Sequence, residues 1–289
     1  MLDLATLAGK IEATDRALQQ EAAAAARVVE EREESALRFC RRLLAIIRVV
    51  LEEEEASIPG ARWPGIVMSI LTKEIATVRA AHALAVAGYA REVSIVVRSA
   101  LEVLITALFI AKEDSALRAK RWIQFSDVQR ADLLKKNPDP ALTVPEFRAE
   151  RRRILDRARR SRKHFPRKFF WASGLKKWSL RDLAEDVGML WHYRVVYWSL
   201  SQATHASAMG VGSYVGVSST GSLVYNLEYP AEGLRGELAV CCELLVRTLD
   251  MLGRLGKLDL GKLYSDLVLE YKTAFDGDAV AEAAPAPPS

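Results

Sequence analysis

The chain has 289 residues, 50% of them apolar, 27% charged and 8% aromatic, with 16 Gly, 10 Pro, 3 Cys and a formal charge of +4. The apolar fraction excludes a mainly disordered chain, and the low Gly and Pro content argues against sandwiches, propellers and collagen-like arrays. Three cysteines are too few for a disulfide scaffold, and the modest total charge hides a net −4 in residues 1–60 and +9 in residues 148–168.

The N-terminus lacks the basic start and apolar block of a secretion signal. Leu4, Leu7, Ile11, Thr14 and Leu18 keep a coiled-coil rhythm, which breaks at Glu21. The rhythm resumes at Leu37, Cys40, Leu44, Ile47 and Leu51, beyond the helix-favouring run Ala22–Ala26. This predicts residues 2–56 as one long helix or two in tandem, stopped by Ser57–Gly60. Such an arm packs either on its own body or on a second chain, and a homo-oligomer through this helix is the sharper expectation.

Further helices are predicted at 66–87, 89–112 and 115–136, the last closed by Asn137–Pro138. Thr143-Val-Pro145-Glu146 has the form of a capping box and opens a basic helix to about 162. The helix over 89–112 is the most apolar, yet Arg98 and Glu102 interrupt it. In a bilayer each charge would cost about 3 kcal/mol, so the pattern favours a buried core helix and no membrane. Ser179 starts a short helix ending at Gly188, and another covers 191–206. The Gly/Ser/Val-rich stretch near 210–229 reads as a loop with a small hairpin around Ser218–Gly221. Helices over 232–255 and 260–275 precede a disordered tail, 276–289.

The expected fold is all-α, a bundle of about eight or nine helices. Its expected divisions are an arm (1–56), a helical body (57–275) and a tail. Cys40, Cys241 and Cys242 fit core thiols of a cytoplasmic protein, since adjacent helical side chains point apart.

Catalytic signatures are sparse. No phosphate-binding Gly-rich loop, HExxH motif or paired CxxC occurs, and His82, His164, His192 and His205 lack metal-ligand spacing. No metal or cofactor is expected. Arg98 and Glu102, four apart, share a helix face, as a register-fixing ion pair or as the charged floor of a pocket. On the 191–206 helix, α-helical spacing aligns Arg194, Tyr197 or Trp198, Ser201 and His205, with Tyr193 beside them. His205 could act as general acid/base with Ser201 and Arg194 as helpers, or simply anchor the loop that follows. The basic helix offers Arg151, Arg152, Arg153, Arg157, Arg160 and Lys163 to an anion, followed by Phe165, Phe169, Phe170, Trp171 and Trp178. Arginines hold phosphates and aromatic faces stack bases, so RNA or another anionic partner is the expected ligand.

Gly88-Tyr-Ala-Arg-Glu-Val-Ser-Ile-Val-Val-Arg98-Ser-Ala-Leu-Glu102 resembles the R-S-x-L-E helix of a large uncharacterised bacterial all-helical family. Tyr193 to His205 resembles that family's later Tyr/Ser/His helix, so the likeness covers roughly residues 66–210. The resemblance implies a helical domain and no particular activity. A second likeness is to the higher eukaryote and prokaryote nucleotide-binding (HEPN) helical domains, some of them metal-independent ribonucleases. It implies catalytic roles for His205 with Arg194 or Arg98. The step from Arg194 to His205 is longer than the Arg-to-His motif of those domains, and Val195 follows the Arg. Two expectations result. One is a nucleic-acid-associated protein, in its catalytic form an endoribonuclease-like one of defence or toxin type. The other is a non-catalytic, self-associating helical scaffold or sensor with a structural polar network.

Overall fold

The computed structural model describes residues 4–54, 63–136, 145–167, 169–204, 215–217, 222–225 and 233–275. Among these, nine α-helices run in chain order: α1 (Leu4–Glu54), α2 (Trp63–Val86), α3 (Ala90–Lys112), α4 (Ser115–Lys136), α5 (Pro145–Arg162), α6 (Leu180–Asp186), α7 (Trp198–Thr204), α8 (Leu234–Gly256) and α9 (Gly261–Phe275). A 3-10 turn covers Trp171–Leu175, and a π turn covers His192–Tyr197. Two three-residue strands, β1 (Val215–Val217) and β2 (Leu223–Tyr225), pair antiparallel with Gly216 opposite Val224. The molecule is all-α. The breaker at Ser57–Gly60, Thr143 of the capping box, the turn around Ser218–Gly221 and the tail 276–289 lie outside the described residues.

Local chemistry sets the helix ends. Gly88 takes φ +86°, which an L side chain resists, and the Tyr89 N–H reaches back to the Leu84 carbonyl at 2.9 Å. This wrapped-back bond closes the end of α2. Ser179 caps α6 by accepting from the Asp182 N–H. Pro145 opens α5, where its missing N–H costs nothing.

The chain divides into two compact units. One unit holds residues 1–58, 72–101 and 195–289, and the other holds 59–71 and 102–194. In the first unit, α1 is two helices joined across a kink at Glu33, which has non-helical φ/ψ of −117° and 18°. Before the kink most of α1 is exposed; beyond it Leu37, Cys40, Leu43 and Ile47 are buried, in a helix packed on α8 and α9. Phe39 meets Tyr271 and Phe275 edge-on, at centroid distances of 6.0 and 6.4 Å. Arg235 of α8 donates to Glu33 at 3.3 Å and to the terminal α9 carbonyl of Ala274 at 3.0 Å, and Ser35 donates to that carbonyl too. A cation at a helix C-terminus is well placed against the dipole.

The second unit centres on Arg118. Its buried guanidinium donates to the Phe109 carbonyl and to Glu113, both at 2.6 Å, and lies 3.8 Å from the Phe109 ring centroid. It also pairs with Asp186 at 3.4 Å, which Lys177 meets at 3.1 Å. Burial pushes the Asp186 carboxyl up, but Lys177, Lys112 and Arg118 outweigh it and hold that carboxyl below its ordinary value. Trp171 packs edge-on against Phe109, and Phe165 against Phe125.

Among the described residues one helix, α3, is long and apolar enough to cross a membrane, with mean hydropathy 2.1 over its most apolar window. Of that window 56% is buried inside the protein, and Val93, Val97, Leu104, Ile105 and Ile110 have almost no exposure. The helix supplies core residues to both units.

Candidate functional site

Three features carry polar chemistry. The first is centred on Arg98. Its Nε donates to Ser201 Oγ at 3.0 Å, its Nη2 donates to the Tyr197 hydroxyl at 2.5 Å, and its guanidinium carbon lies 4.6 Å from the Tyr197 ring centroid. Ser201 Oγ donates its proton to the Tyr197 carbonyl at 2.6 Å. Among the described residues, the Ser201 hydroxyl therefore meets a cation and a carbonyl, neither of which can act as its base. One turn earlier on α3, Ser94 donates to Glu237 at 2.8 Å. Burial pushes the Glu237 carboxyl up, and the Ser94 bond only partly offsets this.

The stripe expected on the 191–206 helix is not built as the α-helical spacing implied. Residues 192–197 form a π turn, whose hydrogen bonds reach five residues back. This wider turn changes the phase of everything after it, so a 3.6-residue count through it misplaces the stripe. Arg194 is exposed, while Tyr193 and Glu102 are half-buried. Glu102 stands one turn beyond Arg98 on α3, and its backbone carbonyl accepts from Thr106. His205 lies outside the described residues. The structure thus joins Arg98, Tyr197 and Ser201 in one cluster. The Arg98–Tyr197 contact was legible only as two separate polar residues.

The second feature is the basic helix α5, which packs on α4. Its arginines fall into two groups. Arg157 is tied to Asp127 at 3.2 Å and to Glu150 at 3.5 Å, Arg162 pairs with Asp132, and Arg153 stands 3.6 Å from Glu150. Arg151, Arg152, Arg160 and Lys163 are exposed and form no ion pair among the described residues. Arg159, 84% exposed, is only 3.9 Å from Asp156. At 3.6 residues per turn Arg152 and Arg159 share one outward stripe, about 10 Å long, and exposed Lys163 follows in the turn past the helix end. The aromatic residues sort likewise. Phe165 and Trp171 belong to the core, whereas Phe169 is 89% and Trp178 is 42% exposed. Arg167 donates to the Trp178 carbonyl at 2.7 Å and stacks on its ring at 5.4 Å.

The third feature gave no signal in the sequence. Glu74 of α2 is fully buried and its Oε2 accepts from Thr248 of α8 at 2.9 Å, while Oε1 has no partner among the described residues. Burial pushes its pKa up to about 8. Cys40, Cys241 and Cys242 are buried and free in the same unit. The Cys242 thiol is pushed up by its hydrogen bond with Cys40 and by burial, and the Cys241 thiol chiefly by burial. His82 donates to the Leu37 carbonyl at 3.3 Å, and burial lowers its pKa. Among the described residues, no group of three His, Cys, Asp or Glu is arranged to hold a metal ion.

Comparison with curated proteins and with solved structures gives no match. The likeness to HEPN domains finds no support in any comparison. A model for a family of unknown function (DUF5677) matches residues 65–222. That span is more than half of the chain and includes the helices bearing Arg98, Tyr197 and Ser201, so the chain belongs to this family of unknown function.

Proposed function

We propose that the protein associates with nucleic acid through the outward face of α5, by binding and not by cleavage. The observation that carries this reading is the outward stripe of Arg152 and Arg159, with exposed Arg151 and Arg160 beside it and exposed Lys163 just past its end. On the inner side of α5, Arg157 and Arg162 are countered by Asp127 and Asp132 of α4. The outward cations largely escape that neutralisation, and exposed Phe169 and Trp178 follow in the chain. Cations track phosphates while exposed aromatic rings stack bases. Ser201 adds no poised nucleophile to this reading, because its hydroxyl donates to a backbone carbonyl. Fluorescence anisotropy with labelled single-stranded RNA and duplex DNA tests the reading. Affinity is expected to fall steeply with salt, and the double variant Arg152→Ala/Arg159→Ala to flatten the log–log slope by about 1.4–1.8. Absent or salt-independent binding overturns it.

A second reading, a non-catalytic helical scaffold, draws on the Arg98 cluster. There a half-buried cation is held by two hydroxyls and an aromatic face. Arg98→Ala would remove both of these bonds and is expected to cost about 1–3 kcal/mol of stability. An unchanged melting temperature would show that the cluster holds no structure together.

A further inference from the structure

In the unit that carries α5, a cleft of about 530 Å³ opens between the start of α2 and the first half of α4. Trp63 and Ile66 of α2 and Ala119 and Ile123 of α4 form apolar walls, and Lys120 and Gln124 supply polar groups. The polar groups are arranged asymmetrically. Arg121 donates to Gln124 Oε1 at 2.8 Å, which fixes the amide and leaves its NH₂ free to donate. The Arg121 Nε is buried without a partner among the described residues. Lys120 is exposed and enters no ion pair there. Positive charge continues beyond the cleft. Burial lowers the His164 pKa, and the fields of Arg121, Lys163 and Lys120 lower it further. Lys163 stands in the turn just past the end of α5.

An apolar slot walled by an indole and edged by unneutralised cations suits a flat, weakly polar group joined to an anion. An acidic peptide would offer its charge without a planar face, and an acyl chain would need a longer apolar channel. We infer that this cleft takes one unstacked base of a single-stranded nucleic acid, with Trp63 as its stacking face and Lys120 at its edge holding a flanking phosphate. The inference rests on the nucleic-acid reading of α5 and adds a base-dependent site to a phosphate-dependent stripe.

The test compares the full chain's affinity for two labelled single-stranded 12-mers of equal charge, one natural and one abasic, in RNA and DNA forms. The natural strand is expected to bind about tenfold or more tighter. W63A should abolish that difference while leaving abasic-strand affinity unchanged, and W63F should restore most of it. Equal affinity of the wild-type chain for natural and abasic strands overturns the cleft assignment alone and needs no variant. Binding of neither strand overturns the cleft and the α5 reading together. A base preference that survives in W63A, with the melting curve unchanged, places the stacking face elsewhere and also overturns the assignment.

Discussion

Glu74 shows how one side chain can govern the molecule's response to pH. Its folded-state pKa, about 8, lies above the value of 4.5 expected in the unfolded chain. Between those values the folded state binds the extra proton, so stability declines as pH rises through that window. Roughly 3 kcal/mol should be lost between pH 5 and pH 8, because each tenfold difference in proton affinity between the two states is worth about 1.4 kcal/mol. Glu74→Gln keeps an acceptor for Thr248 and buries no charge. Chemical denaturation of this variant should show higher stability than wild type at pH 8, with most of the pH 5–8 slope gone. A parallel slope in both proteins would place the titrating group elsewhere. Nothing local in Lys73-Glu74 separates this residue from a solvent-facing pair. What buries it is Thr248, 174 residues away. Arg98, by contrast, stood out in the sequence because it interrupts the most apolar helix, although its partners could not be named from spacing.

Helices were the most legible level of this protein. Their ends carry chemical punctuation, such as Gly88, Pro145, Ser179 and Gly188, and the expected ends fall within a few residues of those observed. The π turn was not legible, because no residue type enforces a bond five residues back. Gly88 also explains a second use of Ala22–Ala26. A Cβ built at Gly88 would lie 3.0 Å from both Ala25 Cβ and the Ala26 nitrogen. The alanines thus serve close approach as well as helix propensity. Gly188 offers a control, with φ +73° but nothing within 4 Å of its notional Cβ. Gly188→Ala should therefore cost only the conformational penalty, about 1 kcal/mol. Gly88→Ala should cost that plus displacement of α1, about 2–3 kcal/mol in all. Thermal melts of the two variants compare these directly. Equal costs would mean that α1 yields freely at Ala25.

At the scale of the whole chain, sequence periodicity identified an all-α protein but did not reveal how its helices are shared out. The partners of α1 are α8 and α9, at the far end of the sequence, and long-range pairing leaves no periodic trace. One result is that the family-matched segment is not a closed structure. Residues 65–222 lack α1, α8 and α9, and with them Thr248 for Glu74, Glu237 for Ser94 and the Leu37 carbonyl for His82. Expressed alone, that segment keeps nearly all of the second unit but leaves the helices of 72–101 uncovered, so its melt by circular dichroism should be smaller and less cooperative than that of the full chain. A fragment melt as sharp and as complete as that of the full chain would contradict the role given to α1, α8 and α9.

The tie between Ser35 and the Ala274 carbonyl spans 239 residues. During synthesis at about 5–20 residues per second, α1 leaves the ribosome roughly 12–48 s before the end of α9 exists to receive it. Throughout that interval Phe39, whose ring partners are Tyr271 and Phe275, has no native cover. The α9 side of α1 is therefore among the last surfaces of the chain to be buried.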